Sequence, residues 1–97
     1  MTFAVSIELN ATKEIQAAYH WYESKSVGLG TAFLKSVTAA TERIGRNPLQ
    51  FKVERVKYRR LHTSKFPYAL HFTVMDAEVK ILACLHVRQS PELWPGA

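Results

Sequence analysis

Apolar and polar residues alternate over the first nine positions of the chain. The apolar side chains there are Phe3, Val5, Ile7 and Leu9, and small or polar residues separate them. A period of two residues places successive side chains on opposite faces of a β-strand. The pattern therefore predicts a half-buried strand at the start of the chain.

The pattern then changes to the period of an amphipathic helix. Its apolar stripe, at i, i+3, i+4 and i+7, consists of Ile15, Ala18, Tyr19 and Tyr22. We predict Asn10 as the N-cap and Glu14 as a favourable charge near the positive end of the helix. The glycines of SVGLG (26–30) end it, because glycine tolerates the backbone angles of a tight reversal. Trp21 falls on the other face of the helix and is a candidate for an interface.

A second amphipathic helix is predicted after these glycines. Thr31 is its predicted N-cap. Its apolar stripe consists of Phe33, Val37, Ala40 and Ile44. Asn47-Pro48 ends it, since the residue before a proline is pushed out of helical angles. The two helices together form a predicted αα-hairpin that follows the first strand.

The second half of the chain has the patterns of strands. Residues 53–61 (VERVKYRRL) mix β-branched and aromatic residues with charges, and they predict one strand with a basic outer face. Apolar residues then alternate at Phe66, Tyr68, Leu70, Phe72 and Val74. After a short turn at 75–78, one predicted face of the last strand carries Val79, Ile81, Ala83, Leu85 and Val87, and the other carries Lys80, Leu82, Cys84, His86 and Arg88. Turns this short predict an antiparallel meander.

These elements occur in the order β-α-α-β-β-β. Helices gathered early and strands gathered late are typical of the α+β class, here with a helical hairpin packed on one face of a small antiparallel sheet. The chain has 97 residues, which is too few for a second core. We therefore predict a single domain that spans residues 1–97.

Positive charge is concentrated in the middle of the chain. Residues 43–65 contain eight lysines and arginines against one acidic residue, Glu54, whereas the net charge of the whole chain is +5. A local field of this sign attracts a polyanion or an acidic protein, and the alternative is a plainly solvated basic face.

The sequence also bears on the cellular compartment. The N-terminus lacks the pattern of a signal peptide, and no run approaches the roughly 20 apolar residues of a membrane span. A single cysteine, Cys84, excludes an internal disulfide and fits a reducing compartment. We therefore expect a cytoplasmic protein without a membrane partner, in which Cys84 is an inert, packed thiol.

Few residues are arranged for catalysis or metal binding. Phosphate-binding glycine loops and CxxC and HExxH motifs are absent, and the four histidines are scattered over different elements. We therefore expect no metal and no cofactor. What remains is a basic surface. Its candidate residues for contact with a target or a partner protein are Lys57, Arg59, Arg60, His62, Lys65, His86, Arg88 and Trp94.

Three of these residues could formally cleave RNA. His86 with Arg60 and Arg88 would supply the proton acceptor, the cations for the phosphate and the donor for the leaving oxygen. The alternative is that the cations only contact a partner and that His86 merely ends a strand. Arg60 has a structural alternative as well, because its stem could share a face with Tyr58 and fix a carboxylate.

Five short motifs follow one another over nearly the whole chain. They are Gly28-Leu29-Gly30…Phe33, Ile44…Asn47-Pro48, Arg59-Arg60, Phe66-Pro67-Tyr68 and His86-x-Arg88…Pro91…Trp94. In this order and spacing they resemble the RelE/ParE superfamily of toxins from bacterial toxin–antitoxin modules. The resemblance implies the fold predicted above and a small antitoxin that wraps the groove of the toxin. An acidic antitoxin would meet the positive charge, and DNA would be contacted only indirectly, through the antitoxin.

Two activities occur in this superfamily. RelE-like members cut mRNA in the ribosomal A site, whereas ParE-like members are not nucleases and inhibit DNA gyrase. The FPY strand and the H-x-R…P…W ending look more like the ParE side, and no tyrosine follows Tyr68. The resemblance thus implies a non-enzymatic, ParE-like gyrase inhibitor. The alternatives are a ribosome-dependent mRNA endoribonuclease and an inactive relative that only binds the antitoxin. Many relatives carry arginine where this chain has Gln89, and the two alternatives are that Arg88 substitutes for it or that the activity is weakened.

Overall fold

The computed structural model describes residues 3–54 and 58–89 of the chain. Its helices are α1 (Leu9–Lys25) and α2 (Leu29–Arg46), followed by a single 3₁₀ turn at Pro48–Gln50. Its strands are β1 (Ala4–Ile7), β2 (Val53–Glu54), β3 (Tyr58–His62), β4 (Tyr68–Met75) and β5 (Glu78–His86). No helix in the described residues is long and apolar enough to cross a membrane.

The described strands form one sheet in the order β1-β5-β4-β3-β2. The pairs β2–β3, β3–β4 and β4–β5 are antiparallel, and this confirms the predicted meander. β1 instead lies parallel to β5, with Val5 opposite Val79 and Ile7 opposite Ile81. The α+β class is confirmed, but the sheet is mixed rather than wholly antiparallel. A parallel neighbour requires a long connection, and here the rest of the chain separates β1 from β5.

The single strand predicted over residues 53–61 is wrong. The structure has two antiparallel strands there, with Val53 opposite Arg59 and Glu54 opposite Tyr58. The direction of the chain in β3 is therefore opposite to its direction in β2. Both β2 and β3 carry β-branched or aromatic residues beside charged ones, so the composition of the segment does not reveal that it forms two strands.

A β-bulge in β5 changes the predicted faces of that strand. Ile81 pairs with Phe72 and Ala83 with His71, so Leu82 is one extra residue opposite β4. The extra residue inverts the alternation after Ile81. Cys84 therefore joins the helix-covered face with Val79 and Ile81, whereas Ala83 and Leu85 lie on the second face.

Both helices begin earlier than predicted. The N-cap of α1 is Glu8 rather than Asn10, and the N-cap of α2 is Gly28 rather than Thr31. Gly28 has φ +89°, a left-handed conformation that favours glycine. The Glu23 carboxylate accepts hydrogen bonds from the backbone N–H groups of Gly28 (3.0 Å) and Gly30 (2.9 Å). A side chain of α1 thus caps α2, so no cap adjacent in sequence is required.

The core lies between the helices and one face of the sheet. The predicted stripe of α2 is confirmed, since Phe33, Val37, Ala40 and Ile44 are all buried. An aromatic cluster fills one end of this layer, where the ring centroids of Tyr22 and Phe66 are 4.9 Å apart and those of Phe33 and Tyr68 are 5.2 Å apart. Tyr22 is therefore partly buried and packs against the core, in agreement with its helical spacing.

Candidate functional site

The predicted basic surface does not lie on one face of the sheet. His86 pairs with Tyr68, whose ring contacts the helices, so His86 belongs to the helix-covered face. Arg60 pairs with His71, which belongs to the second face. Directly opposed residues in antiparallel strands share a face, so Arg60 and His86 are on opposite sides of the sheet. Lys57 and Trp94 lie outside the described residues.

The two arginines at the start of β3 are both engaged within the fold. The Nε–H group of Arg59 donates a hydrogen bond of 2.8 Å to the carbonyl oxygen of Phe51. Nη2 of Arg60 lies 3.7 Å from the Glu54 carboxylate, and this matches the structural alternative in which Arg60 fixes a carboxylate. These contacts hold residues 51–54 against β3.

The chain makes a tight turn after β5, and Gln89 closes it. The His86 N–H donates to Gln89 Oε1 (2.8 Å), and the Gln89 N–H donates back to the His86 carbonyl oxygen (3.0 Å). The Arg88 N–H donates to His86 Nδ1 (3.0 Å), so a neutral imidazole would carry its proton on Nε2. The Arg88 side chain is exposed on this turn. The side-chain amide oxygen of Gln89 therefore has a structural role, because it closes this turn by accepting the His86 N–H.

A groove of about 630 Å³, here called the α1 groove, lies between α1 and the end of β5. Tyr22, Tyr68 and His86 contribute to its walls. Trp21, which is 57% exposed, stands at this groove, and the Lys25 ammonium lies 4.9 Å from its ring centroid. The exposed position of Trp21 agrees with the face predicted for it.

Glu14 has a role in the α1 groove that its sequence position did not indicate. β1 ends opposite Ile81, and beyond that point the Cys84 N–H donates to Glu14 Oε1 at 2.9 Å. Burial raises the pKa of the Glu14 carboxyl, although this hydrogen bond acts in the opposite direction. Glu14 therefore accepts a hydrogen bond from a backbone N–H group at the edge of β5, whereas the sequence predicted that its charge would act at the N-terminus of α1.

The Cys84 thiol is expected to be unreactive in the folded protein. Cys84 is 2% exposed, and burial, with a smaller contribution from the Glu14 charge, raises the pKa of the thiol to about 12. Since the thiolate is the nucleophile, alkylation by iodoacetamide at pH 8 should be at least about 100-fold slower in buffer than in 8 M urea. Mass spectrometry of timed samples measures both rates. Alkylation at the rate of a free thiol without urea would contradict this prediction.

A second groove, here called the α2 groove, runs along the outer side of α2. It consists of two adjoining cavities of about 540 and 210 Å³, which share Ser36 and Ser64. Of the predicted contact residues, Lys65 lines the first cavity and His62 the second. His62 only borders this cavity, because it pairs with Ala69 and therefore shares the second face of the sheet with Arg60. The described contact residues thus fall into three places: Lys65 in the α2 groove, His86 and Arg88 at the turn after β5, and Arg59, Arg60 and His62 on β3. Among residues 3–54 and 58–89, no group of His, Cys, Asp or Glu side chains could hold a metal ion.

Comparison with known protein families identifies the chain. The family model described as "ParE toxin of type II toxin-antitoxin system, parDE" matches residues 5–91. The chain belongs to the ParE toxin family. It is therefore the toxin component of a type II toxin–antitoxin system, and this implies an antitoxin partner.

A solved structure supports the fold of this ParE-family toxin. The toxin is similar in structure to a chain of the "Chromosomal ParDE TA system from P. aeruginosa", with a TM-score of 0.75 and 17% sequence identity. The match covers 88% of this chain and 96% of that chain. No curated protein sequence matches. At this identity the structural likeness concerns the fold alone.

Proposed function

We propose that this ParE-family toxin acts in the cytoplasm by binding DNA gyrase, without catalysis, and that an acidic antitoxin neutralises it. The antitoxin, rather than the toxin, would make the contacts with DNA. The observation that carries the non-catalytic part of the proposal is the strand register, which separates Arg60 from His86.

The ribonuclease alternative requires its groups to converge on one phosphate. A proton acceptor, cations and a leaving-group donor must all lie within hydrogen-bond reach of the reacting atoms. Arg60 and His86 face opposite sides of the sheet, and Arg60 is near the Glu54 carboxylate. His86 Nδ1 already accepts the Arg88 N–H. This arrangement favours a binding surface over a nuclease site.

Arg88 is the residue we propose for contact with gyrase. Its side chain is exposed, whereas those of Arg59 and Arg60 are half-buried and engaged. Three hydrogen bonds fix the turn that presents it, so little backbone entropy is lost when a partner binds. A rigid, exposed cation of this kind fits an acidic patch on a protein target.

A supercoiling assay with the host's own gyrase tests this proposal. Wild-type toxin should inhibit supercoiling, and Arg88→Glu should raise the concentration for half-inhibition at least about tenfold, because a favourable charge pair becomes a repulsive one. Arg46→Glu is the matched control, since Arg46 is an exposed arginine at the end of α2. The control should shift the half-inhibition concentration less than about threefold.

Three results would contradict the proposal. Gyrase activity that is unaffected by a large excess of wild-type toxin would remove its basis. Cleavage of ribosome-bound mRNA in the A site that is lost in His86→Ala would establish the endoribonuclease instead. Absence of growth arrest on expression without the antitoxin would favour the inactive relative. Pulse-labelling after induction distinguishes a gyrase inhibitor from an endoribonuclease, since a gyrase inhibitor stops DNA synthesis before protein synthesis.

A further inference from the structure

The α1 groove differs in charge from the rest of the toxin. The chain has a net charge of +5, whereas no lysine or arginine is among the described residues that line this groove. The acidic residue among them is Glu14. His86 adds no positive charge in this arrangement, because its Nδ1 accepts the Arg88 N–H and therefore carries no proton. The groove is thus a negative site on a basic protein, and such a site attracts a cation.

The Glu14 carboxylate has one oxygen engaged within the fold. Oε1 accepts the Cys84 N–H at 2.9 Å. No other described residue donates a hydrogen bond to this carboxylate or forms an ion pair with it. Burial raises the pKa of the carboxyl, which places it in surroundings less polar than water, where the attraction between opposite charges is stronger. The second oxygen, Oε2, is therefore available to pair with the cation of a ligand.

Aromatic rings form much of the wall of the groove. The ring centroids of Trp21 and Tyr22 are 5.2 Å apart, and those of Tyr22 and Tyr68 are 6.2 Å apart, so the three rings are continuous. The face of an aromatic ring attracts cations. An ammonium already lies over the indole, since Lys25 Nζ is 4.9 Å from its centroid, although Lys25 does not line the groove. These walls suit a ligand that combines an apolar body with a positive charge.

The groove has the size of a small-molecule site and is held in place by the fold. Its volume of about 630 Å³ lies within the range of roughly 300–1,000 Å³ that is usual for such sites. Small or apolar residues such as Ala17 and Leu85 complete its lining. The hydrogen bond between Glu14 and Cys84 ties α1 to β5 across the groove. Because the site is formed without a ligand, little entropy is lost on binding.

We propose that the α1 groove binds a small organic cation, a protonated amine or guanidine carried on an apolar or aromatic body. The cation would pair with Glu14 Oε2, and the body would lie against the rings of Trp21 and Tyr68. Since His86 also lines the groove, the ligand would lie beside the turn that presents Arg88. The inference does not require that gyrase be the target of the toxin.

Two ligands of the same shape test the requirement for charge. The probe is phenethylamine, which is protonated at pH 8, and its partner is phenethyl alcohol, which has the same body without the charge. In amide correlation spectra of nitrogen-labelled toxin, the amine should shift the signals of the Trp21 indole N–H and the Cys84 N–H. Its Kd should be roughly 1 mM or lower, as expected for a ligand of nine non-hydrogen atoms. The alcohol should bind at least about tenfold more weakly.

Glu14→Gln tests the role of the carboxylate. The substitution removes the charge, while the amide oxygen can still accept the Cys84 N–H and keep α1 tied to β5. The Kd for phenethylamine should rise at least about tenfold, whereas the Kd for phenethyl alcohol should change less than about twofold. Glu42→Gln is the matched control, because Glu42 is an exposed glutamate of α2 outside the groove. This control should raise the Kd for the amine less than about threefold.

Trp21→Leu tests the aromatic wall independently of Glu14. Trp21 is 57% exposed, so the substitution leaves the core intact. The Kd for phenethylamine should rise at least about threefold, because the indole contributes both contact area and an attraction for the cation. Thermal unfolding of each variant confirms that the toxin remains folded.

Four results would overturn the inference. They are equal affinity for the amine and the alcohol, equal effects of Glu14→Gln and Glu42→Gln, wild-type affinity in Trp21→Leu, and no shift of the Trp21 and Cys84 signals at amine concentrations well above the expected Kd. Shifts of the same signals with toxin concentration alone would make a second copy the occupant and would also overturn it. Failure of wild-type toxin to inhibit gyrase would reject the proposed target but leave these Kd values unaffected.

Discussion

Replacing Gly30 by alanine is expected to lower the free energy of unfolding by about 2–3 kcal/mol, as is typical of overpacking at a rigid contact. A Cβ atom at Gly30 would lie 2.7 Å from the Tyr19 carbonyl oxygen and 2.8 Å from Tyr19 Cδ1. The carbonyl belongs to the backbone of α1 and cannot rotate away. The two helices would have to separate, and the aromatic cluster between them would loosen.

The same substitution also disturbs the cap of α2. The added Cβ atom would lie 2.9 Å from Glu23 Oε1, the oxygen that accepts the Gly30 N–H. Displacing this carboxylate exposes N–H groups at the positive end of α2, which costs about 1 kcal/mol in comparable caps. The higher helix propensity of alanine returns up to about 1 kcal/mol. The loss of the cap and the gain in helix propensity nearly cancel, so the clash with Tyr19 determines that the substitution lowers the free energy of unfolding.

Thermal unfolding measures the effect, with Gly45→Ala as the control. A loss of 2–3 kcal/mol corresponds to a decrease in Tm of roughly 10–20 °C in a domain of this size. Gly45 is also a buried glycine of α2, but a Cβ atom there would meet only Val5 Cγ2 at 3.2 Å and the Phe3 carbonyl oxygen at 3.8 Å. Its Tm should change by less than about 4 °C. Equal Tm values for the two variants would show that the contact between α1 and α2 at Gly30 is not tight.

The helical part of the fold could be predicted because its signal is local. The stripe from Phe33 to Ile44 repeats with the helical period and is buried throughout, and Asn47-Pro48 ends α2 as predicted. The helix starts could not be predicted, because the cap of α2 comes from Glu23 across the hairpin rather than from Thr31. A rule based on neighbouring residues finds only caps that are close in sequence.

The faces of β5 could not be predicted because both assignments satisfy the pattern. After Leu82, Ala83 and Leu85 lie on one face of β5 and Cys84 and His86 on the other. Each face thus carries residues that can be buried, so the hydrophobic pattern fits equally well with and without the bulge. The bulge moves His86 to the side of the helices and away from Arg60. A single extra residue thus separates the groups that the sequence had suggested for RNA cleavage.

The candidate site depends on contacts between residues far apart in the chain. The charge of residues 43–65 predicts an acidic partner, but it does not show where that partner binds. The α2 groove arises because the turn after β3 is tied to α2 by Ser36 and Ser64, which are 28 residues apart. Likewise, Glu14 reaches Cys84 across 70 residues. Such pairings follow from topology and are not visible in local periodicity.

Lowering the pH from 7 to 5 is expected to remove about 2 kcal/mol of stability through His71, by linkage between its folded and unfolded pKa values. His71 is 1% exposed, and burial lowers its pKa from 6.5 to about 4, with smaller contributions from the charges of Arg60 and His62. Between these two pKa values the unfolded chain binds a proton that the folded protein does not. Stability therefore rises with pH from about 4 to 6.5 and is lost as the pH falls.

Glu14 contributes with the opposite sign over part of this range. Its pKa is raised above 4.5 in the folded protein, so the stability it contributes is present at low pH and is lost as the pH rises through the folded value. The total pH dependence is therefore a balance of the two groups. A variant that cannot titrate at position 71 isolates the contribution of His71.

His71→Phe is the variant that makes the comparison, because its ring can keep the contact with Tyr58, whose ring centroid lies 5.4 Å from that of His71. Urea unfolding at pH 5 and pH 7 gives the free energy of unfolding of both proteins. We expect the wild type to lose about 2 kcal/mol more than His71→Phe between these two pH values. The absolute stability of the variant does not affect this difference, since it cancels. The same pH dependence in both proteins would show that His71 titrates normally, and the buried second face of the sheet would then have to admit a charged imidazole at little cost.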